Sequence, residues 1–244
     1  MEELSTIQKI AVMALPLVFA IVFHEVAHGW VANRLGDPTA RDLGRLTLNP
    51  ISHIDLMGTI IMPIMLFLLT NGSLLFGYAK PVPINPTYFK DPKKGMALSA
   101  LAGPGVNIVM AVICSILLRG VLANLEGKLP EPIWSWFATP VTLMLGYGIM
   151  INVVLAVLNM LPIPPLDGSR VMYWLLPPRA AEAYYGLQPH IMKGFMYLFL
   201  IHVFLSIINA STFSPLLYVF RILGMIMNPI IRPLLALLLG NGGF

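Results

Sequence analysis

The stretch IAVMALPLVFAIVFHEVAH, residues 10–28, decides the fold, because an unbroken apolar run from Ile10 to Phe23 leads directly into a polar cluster. The helix can continue to Ala32 before Asn33 and Arg34 mark an interface. An apolar helix of about 20 residues is long enough to cross a bilayer. We therefore expect a first membrane span here, one that is retained rather than cleaved as a signal peptide.

The composition indicates an integral membrane protein. Of the 244 residues, 57% are hydrophobic and only 11% are charged, whereas soluble domains carry about 25% charged residues. The mean hydropathy is +0.81. The net charge of +4 is modest and spread over loops, so it suits orientation in a lipid bilayer and predicts no nucleic-acid partner. Cys114 is the single cysteine and cannot form an internal disulfide.

Apolar segments downstream predict an all-α polytopic membrane protein with about five transmembrane helices. The four further spans are Met96–Leu118, Phe137–Leu161, Ile191–Ala210 and Pro215–Gly240. Two arginines and two prolines weaken the last one, which could lie partly in the interface. We expect one membrane-embedded domain over residues 1–244, with a catalytic core of about 7–176 and accessory helices of about 189–240.

The region between the first two spans is predicted to be irregular. Leu56–Leu69 is short for a span and is interrupted by Gly58 and Pro63, so a re-entrant or interfacial segment is expected. The loops 36–55 and 77–94 are rich in turn-forming residues and extended, with a β-hairpin as one form they could take.

The polar cluster in the first span carries a metal-binding pattern. An ionisable group such as Glu25 at membrane depth costs at least about 2.5–3.5 kcal/mol, so it needs a partner. His24 and His28 are four residues apart, and on a helix they project from one face. The H-E-x-x-H spacing predicts that both imidazoles bind one Zn²⁺ per chain while Glu25 polarises a water molecule.

A catalytic zinc commonly has three protein ligands, and Asp167 is the best candidate for the third. It ends the sequence NMLPIPPLDG, residues 159–168, whose prolines prevent a regular helix. The alternative is that Asp167 is the N-cap of a helix beginning at Gly168. By itself Asp167 would favour the cap, and the presence of the H-E-x-x-H pattern reverses the preference.

With these motifs in place, the chain resembles the site-2 protease family of intramembrane zinc metalloproteases, in the small form without a PDZ domain. HEVAH at 24–28, AGPGVN at 102–107 and NMLPIPPLDG at 159–168 follow the family's order. The resemblance implies His24, His28 and Asp167 as zinc ligands and Glu25 as the catalytic base. It further implies that Asn159 lies near the substrate backbone or the oxyanion, and that Asn107 borders the active-site cavity. The region 33–95 is longer than in the most compact family members.

His53 lies in a loop, and its role has two possible interpretations. A histidine hydrogen-bonded at the membrane interface is favoured over an auxiliary metal-binding or gating residue. Asn107, Asn152 and Asn159 are candidates to line a polar path by which water reaches the metal.

The metal constrains the topology. The ends of the first and third spans must lie on one side of the membrane, so the chain between them crosses an even number of times and Leu56–Leu69 should not cross. This places most lysines and arginines on the same face as the site. The positive-inside rule then predicts a multi-pass protein of the cell membrane with its active site toward the cytoplasm.

The predicted function is hydrolysis of peptide bonds in or near the transmembrane segment of a membrane-protein substrate. The extended loops could pair with the substrate backbone as an edge strand. The alternative is a zinc-binding transporter or channel, which often shows repeated broken helices, and no second copy of the broken segment is present. A structural zinc scaffold would require four ligands. The sequence leaves open an oligomer or a regulatory membrane partner.

Overall fold

Helices dominate the part of the chain that the computed structural model describes, namely residues 6–70, 77–122, 125, 127–128, 130, 134–208, 210, 212 and 214–239. Five of these helices are long and apolar enough to cross a membrane, so the predicted all-α polytopic class is confirmed. In chain order the α-helices are α1 (Thr6–Arg34), α2 (Thr39–Asp42), α3 (Met62–Leu69), α4 (Pro92–Ile116), α5 (Thr139–Asn159), α6 (Asp167–Leu175), α7 (Pro178–Ile207) and α8 (Pro215–Leu239).

The predicted spans differ from the observed helices mainly in α7. This helix begins at Pro178, well before the predicted start at Ile191. Its first turns carry Arg179 and Glu182, and a search for continuous apolar sequence overlooks such a polar beginning. In α8 the helix continues through Pro229 and Pro233, so these prolines do not end it.

The core of the bundle is formed by α1, α4 and α5, which pack against one another, with α6 also packed on α4. Many of the fully buried residues are small, among them Ala20, Ala97, Ala100 and Ala111. Small side chains let membrane helices approach closely, which is how such helices gain van der Waals contact in lipid. This close packing brings the end of α1 against the start of α4 and α6.

The outer surface of the bundle is apolar. Large side chains such as Leu15, Phe19, Ile113, Phe204 and Ile226 are exposed. Lipid solvates such a surface without cost, whereas in water it would be a large hydrophobic patch. The chain is therefore a multi-pass membrane protein.

The segment between α2 and α4 turns back on itself. A π-helical turn at Leu56–Ile61 leads into α3, and Pro63 is accommodated in the first turn of that helix. After residues 71–76, which lie outside the described residues, Tyr78 N–H donates to Gly58 C=O at 3.0 Å and Lys80 N–H donates to His53 C=O at 2.9 Å. The segment thus leaves and returns at one place, as a re-entrant segment does. No β-strand forms within the described part of this region.

Candidate metal centre

The last turns of α1 present two imidazoles on one helix face. His24 and His28 are four residues apart, and their ring centroids lie 4.6 Å apart at 90°. Both residues are buried. The helical spacing therefore brings the two rings together as the H-E-x-x-H pattern predicts.

Asp167, the first residue of α6, completes a cluster with the two histidines. Its Oδ2 lies 3.1 Å from His24 Nε2 and 3.2 Å from His28 Nε2. Among the described residues these three form the only group of three or more histidine, cysteine and acidic residues whose ligand atoms all converge. The structure thus joins two motifs that are about 140 residues apart in sequence.

Asp167 is not the N-cap residue of α6 in the structure. The residue at the N-cap of α6 is Leu166, and no side chain caps this helix. Asp167 stands one position further, and its carboxylate faces the imidazoles. The turn before α6 is tight: a Cβ added at Gly168 would lie 2.2 Å from the carbonyl oxygen of Met160. Glycine next to Asp167 therefore allows the chain to close on itself at this point.

Helix α4 fixes which imidazole nitrogens face the carboxylate. His28 Nδ1 lies 2.7 Å from Ser99 C=O, which can only accept, so this nitrogen carries the hydrogen. His24 Nδ1 donates to Asn107 Oδ1 at 2.6 Å, because the Asn107 amide group donates to Asn152 Oδ1 and Ala20 C=O. In both rings the neutral form then directs its Nε2 lone pair at Asp167.

This arrangement fits a bound metal cation. The lone pairs of the two Nε2 atoms repel the Asp167 oxygen that they face. A cation between these three atoms would bind all of them and remove the repulsion. Ligand atoms around a tetrahedral zinc, with bonds of about 2.0–2.2 Å, lie about 3.3–3.6 Å apart. The separations of Asp167 Oδ2 from the two nitrogens are close to that value. The Nδ1 contacts also provide the outer hydrogen bonds that zinc-bound histidines make.

The charge state of Asp167 suits this role. Burial by itself would raise the pKa of the carboxyl, whereas protonated imidazoles at His24 and His28 would lower it below its ordinary value through their hydrogen bonds and charges. A metal cation would take the place of those protons as the positive partner, and the ionised carboxylate is the form that binds a metal.

Gly103 on α4 makes room for the imidazoles. A Cβ added there would lie 2.4 Å from His28 Nε2 and 2.6 Å from His24 Cε1. Any other residue would push into the cluster. The first glycine of the AGPGVN sequence is thus explained by the close approach of α4 to the two rings.

Glu25 lies beside the cluster and is half-buried. Its Oε2 accepts a hydrogen bond from Val82 N–H at 2.8 Å. Val82 belongs to the extended segment that follows the re-entrant region, and sequence reasoning did not anticipate this contact. The only signal for it is the sequence Pro81-Val82-Pro83, which contains a single N–H group.

The remaining predicted residues have different surroundings. Asn107 is fully buried behind His24, and Asn152 is buried beside it. Asn159, at the end of α5, is half-buried and donates from Nδ2 to Leu155 C=O at 3.0 Å. His53 is buried and its Nε2 is bonded to Thr47 C=O at 2.8 Å, without belonging to a metal-binding group among the described residues.

An apolar cavity of about 530 Å³ lies between α1 and the re-entrant region. Leu17 and Ile21 line it from α1, and Pro63, Tyr78 and Ala79 line it from the other side. The cavity therefore runs along α1 just before the His24 turn, and reaches the extended segment that contacts Glu25.

Sequence comparison agrees with this geometry. The sequence model of Peptidase family M50 matches residues 12–202, which include all three site motifs. YwhC of Bacillus subtilis, named as a candidate zinc metalloprotease, is 39% identical over 166 residues, which are 68% of this chain and 69% of YwhC.

Two mycobacterial relatives carry a similar name. Rip2 of Mycolicibacterium smegmatis, also named as a candidate zinc metalloprotease, is 30% identical over 73% of this chain and 61% of its own length. Rip2 of Mycobacterium tuberculosis, named likewise, is 31% identical over 84% of this chain and 71% of its own length. No solved structure matches the chain at a significant level.

Proposed function

Because this chain belongs to Peptidase family M50, the site-2 protease family of zinc metalloproteases, we propose that His24, His28 and Asp167 bind its zinc and that Glu25 is the catalytic base. The observation that carries the assignment is the convergence of two oriented Nε2 atoms on Asp167 Oδ2 at 3.1 and 3.2 Å. Nothing in the comparisons or in the described residues supports the transporter or channel alternative.

Glu25 has the position and chemistry of a general base. His24, His28 and Asp167 would hold a zinc ion that would polarise a scissile carbonyl and lower the pKa of a water molecule toward about 7. Glu25 is the neighbour of one ligand in sequence, and only part of it is buried. Its carboxylate would take the proton of the attacking water molecule and later deliver it to the leaving amine.

Asn107 and Asn159 have distinct roles in this proposal. Asn107 accepts from His24 Nδ1, so it orients a ligand rather than touching the substrate. Asn159 ends α5 close to the turn that carries Asp167, where its amide could donate to the substrate backbone or the oxyanion after releasing Leu155 C=O.

The substrate is a membrane protein with a transmembrane segment. The apolar cavity beside α1 accepts its side chains, and the extended backbone at Gly77–Ala79 pairs with its unwound main chain. In support of that pairing, Ala79 N–H has no hydrogen-bond partner among the described residues. An oligomer or a regulatory membrane partner is compatible with this arrangement.

The site faces the cytoplasm in this proposal. His24, His28 and Asp167 meet at one place, so the ends of α1 and α5 lie on one side of the membrane, and the re-entrant region returns to its starting point. Most basic residues then share that side, which the positive-inside rule makes cytoplasmic, and the cell membrane is the location this implies.

The packing of the helices supports the predicted domain organisation. We propose one membrane-embedded domain, 1–244, whose catalytic core of about 7–176 includes every ligand. The accessory part, predicted as about 189–240, starts at Pro178 if it is taken to comprise α7 and α8. The family match extends into α7, to residue 202.

Co-expression with tagged membrane proteins tests the proposed function. The intact chain should cleave a substrate that Glu25→Gln leaves whole, because an amide keeps the shape of the side chain but cannot accept the proton. Loss of the base should slow cleavage roughly 10²–10⁴-fold while zinc is retained. Near-normal cleavage by Glu25→Gln would refute the assignment of the base.

A further inference from the structure

An extended segment, Lys80–Asn85, passes beside the end of α1, and we call it the strap. Both backbone groups of its first residue are hydrogen-bonded. Lys80 N–H donates to His53 C=O at 2.9 Å, and the Arg45 guanidinium donates to Lys80 C=O at 2.8 Å. Its last residue is held by a carboxylate, since Asn85 N–H donates to Asp37 Oδ2 at 2.7 Å. Both ends of the strap are therefore anchored.

The anchors are themselves fixed. Asp37 is fully buried and Arg45 is 9% exposed. The other oxygen of Asp37 accepts from the backbone N–H and the hydroxyl of Thr39, so the carboxylate has partners on both sides. A buried charge is costly unless it is hydrogen-bonded, and moving the strap would remove the Asn85 bond from a carboxylate that water does not reach.

Between its anchors the strap presents one N–H to Glu25. Val82 N–H donates to Glu25 Oε2 at 2.8 Å, and the Val82 side chain is buried. A Cβ added at Gly29 would lie 2.7 Å from Val82 Cγ1, so the absence of a side chain there allows the strap to lie against α1. Packing and hydrogen bonding thus fix this N–H at the carboxylate.

The neighbouring prolines make the donor unique. Pro81 and Pro83 have no N–H, so Val82 carries the single donor among these three residues. A shift of the strap by one residue in either direction would place no donor at Glu25. The sequence therefore specifies a single register.

We propose that the strap is a positioning element for the catalytic base, with Val82 N–H holding Glu25 Oε2 and leaving the other carboxylate oxygen to accept the proton of water. This inference rests on the proposed function of Glu25. A glutamate side chain has several rotatable bonds, and fixing one oxygen in advance lowers the cost of reaching the reactive geometry. The strap acts through Glu25 and is not assigned a contact with the substrate.

Replacing one amide by an ester tests the proposal in the full-length protein. The α-hydroxy acid analogue of valine at position 82 deletes the N–H and keeps the side chain. The matched control is the same replacement at Ile84, whose N–H has no partner among the described residues. The readouts are zinc content and the kinetics of cleavage, in detergent, of a single-span membrane protein that the wild type cleaves.

The ester at Val82 should lower kcat roughly tenfold to hundredfold, the range expected when a hydrogen bond to a charged group is lost, with KM and zinc content unchanged. The ester at Ile84 should behave as the wild type. Asp37→Asn, which removes one accepting oxygen from an anchor, should lower kcat about fivefold.

An unchanged or increased kcat for the Val82 ester would overturn the proposal, as would loss of zinc or a change confined to KM. The Glu25→Gln variant distinguishes a failure of the strap proposal from a failure of the proposed function. If Glu25→Gln cleaves normally, the base is elsewhere; if only the Val82 ester cleaves normally, Glu25 is the base and the strap does not position it.

Discussion

Gly103→Ala offers a sharp test of the site, because the structure gives both the clash and a control. The added methyl carbon would lie 2.4 Å from His28 Nε2 and 2.6 Å from His24 Cε1, whereas non-bonded carbon atoms approach to about 3.5–4.0 Å. The rings or α4 must therefore move by about 1 Å. Metal–ligand distances tolerate deviations of only about 0.2 Å, so this movement should disrupt binding.

The expected result is loss of function in a stable protein. A displacement of about 1 Å at a reacting centre can cost on the order of 10²-fold in rate, and zinc retention should fall with it. Alanine is favoured over glycine in a helix interior by about 1 kcal/mol, so α4 itself should not be weakened.

Zinc analysis of the purified protein, together with cleavage of a co-expressed substrate, measures both effects. Gly105→Ala is the matched control, because a Cβ at that position on the same helix meets nothing within 4 Å. It should retain zinc and activity. Full zinc content and normal cleavage by Gly103→Ala would refute the placement of α4 against the two imidazoles.

Three further outcomes are expected. Asp167→Asn should weaken zinc retention or abolish cleavage while expression and membrane insertion stay nearly intact; normal zinc and cleavage would remove Asp167 from the ligand set, since asparagine caps a helix as well as aspartate does. Asn107→Ala should lower zinc affinity about 10–100-fold in a chelator competition, because His24 Nδ1 loses its acceptor; an unchanged affinity would contradict the orienting role. Single cysteines replacing Arg41 and Lys90 should react with an impermeant thiol reagent from the same, cytoplasmic side in a chain with Cys114→Ala; opposite sidedness would mean that the re-entrant region crosses the membrane.

The convergence of His24, His28 and Asp167, the proposed zinc ligands, could be predicted from the sequence because each of them lies in a recognisable motif. Two histidines four residues apart inside an apolar helix have few explanations other than a metal, and Asp167 follows a sequence that cannot be helical. The long apolar runs likewise predicted the five helices that are long enough to span a membrane in the described part of the chain. The polar beginning of α7 was missed, since Arg179 and Glu182 hide a helix from a hydropathy argument.

The contacts that orient the site could not be predicted, because backbone groups provide several of them. Ser99 C=O and Val82 N–H are backbone groups that nearly every residue type carries, so side-chain chemistry does not show which of them reach the site. Asp37 lies in a loop, and its sequence neighbours do not show that it is buried and accepts a hydrogen bond from Asn85 N–H. Long-range packing alone brings these groups to the end of α1.

The most direct test of the proposed ligand set is zinc X-ray absorption on purified Glu25→Gln protein containing one zinc per chain. The spectrum should show two imidazole nitrogens at about 2.0–2.1 Å and otherwise oxygen ligands at about 2.0–2.2 Å. Sulfur scattering at about 2.3 Å, or a spectrum with fewer than two imidazoles, would contradict the assignment of His24, His28 and Asp167 as the zinc ligands.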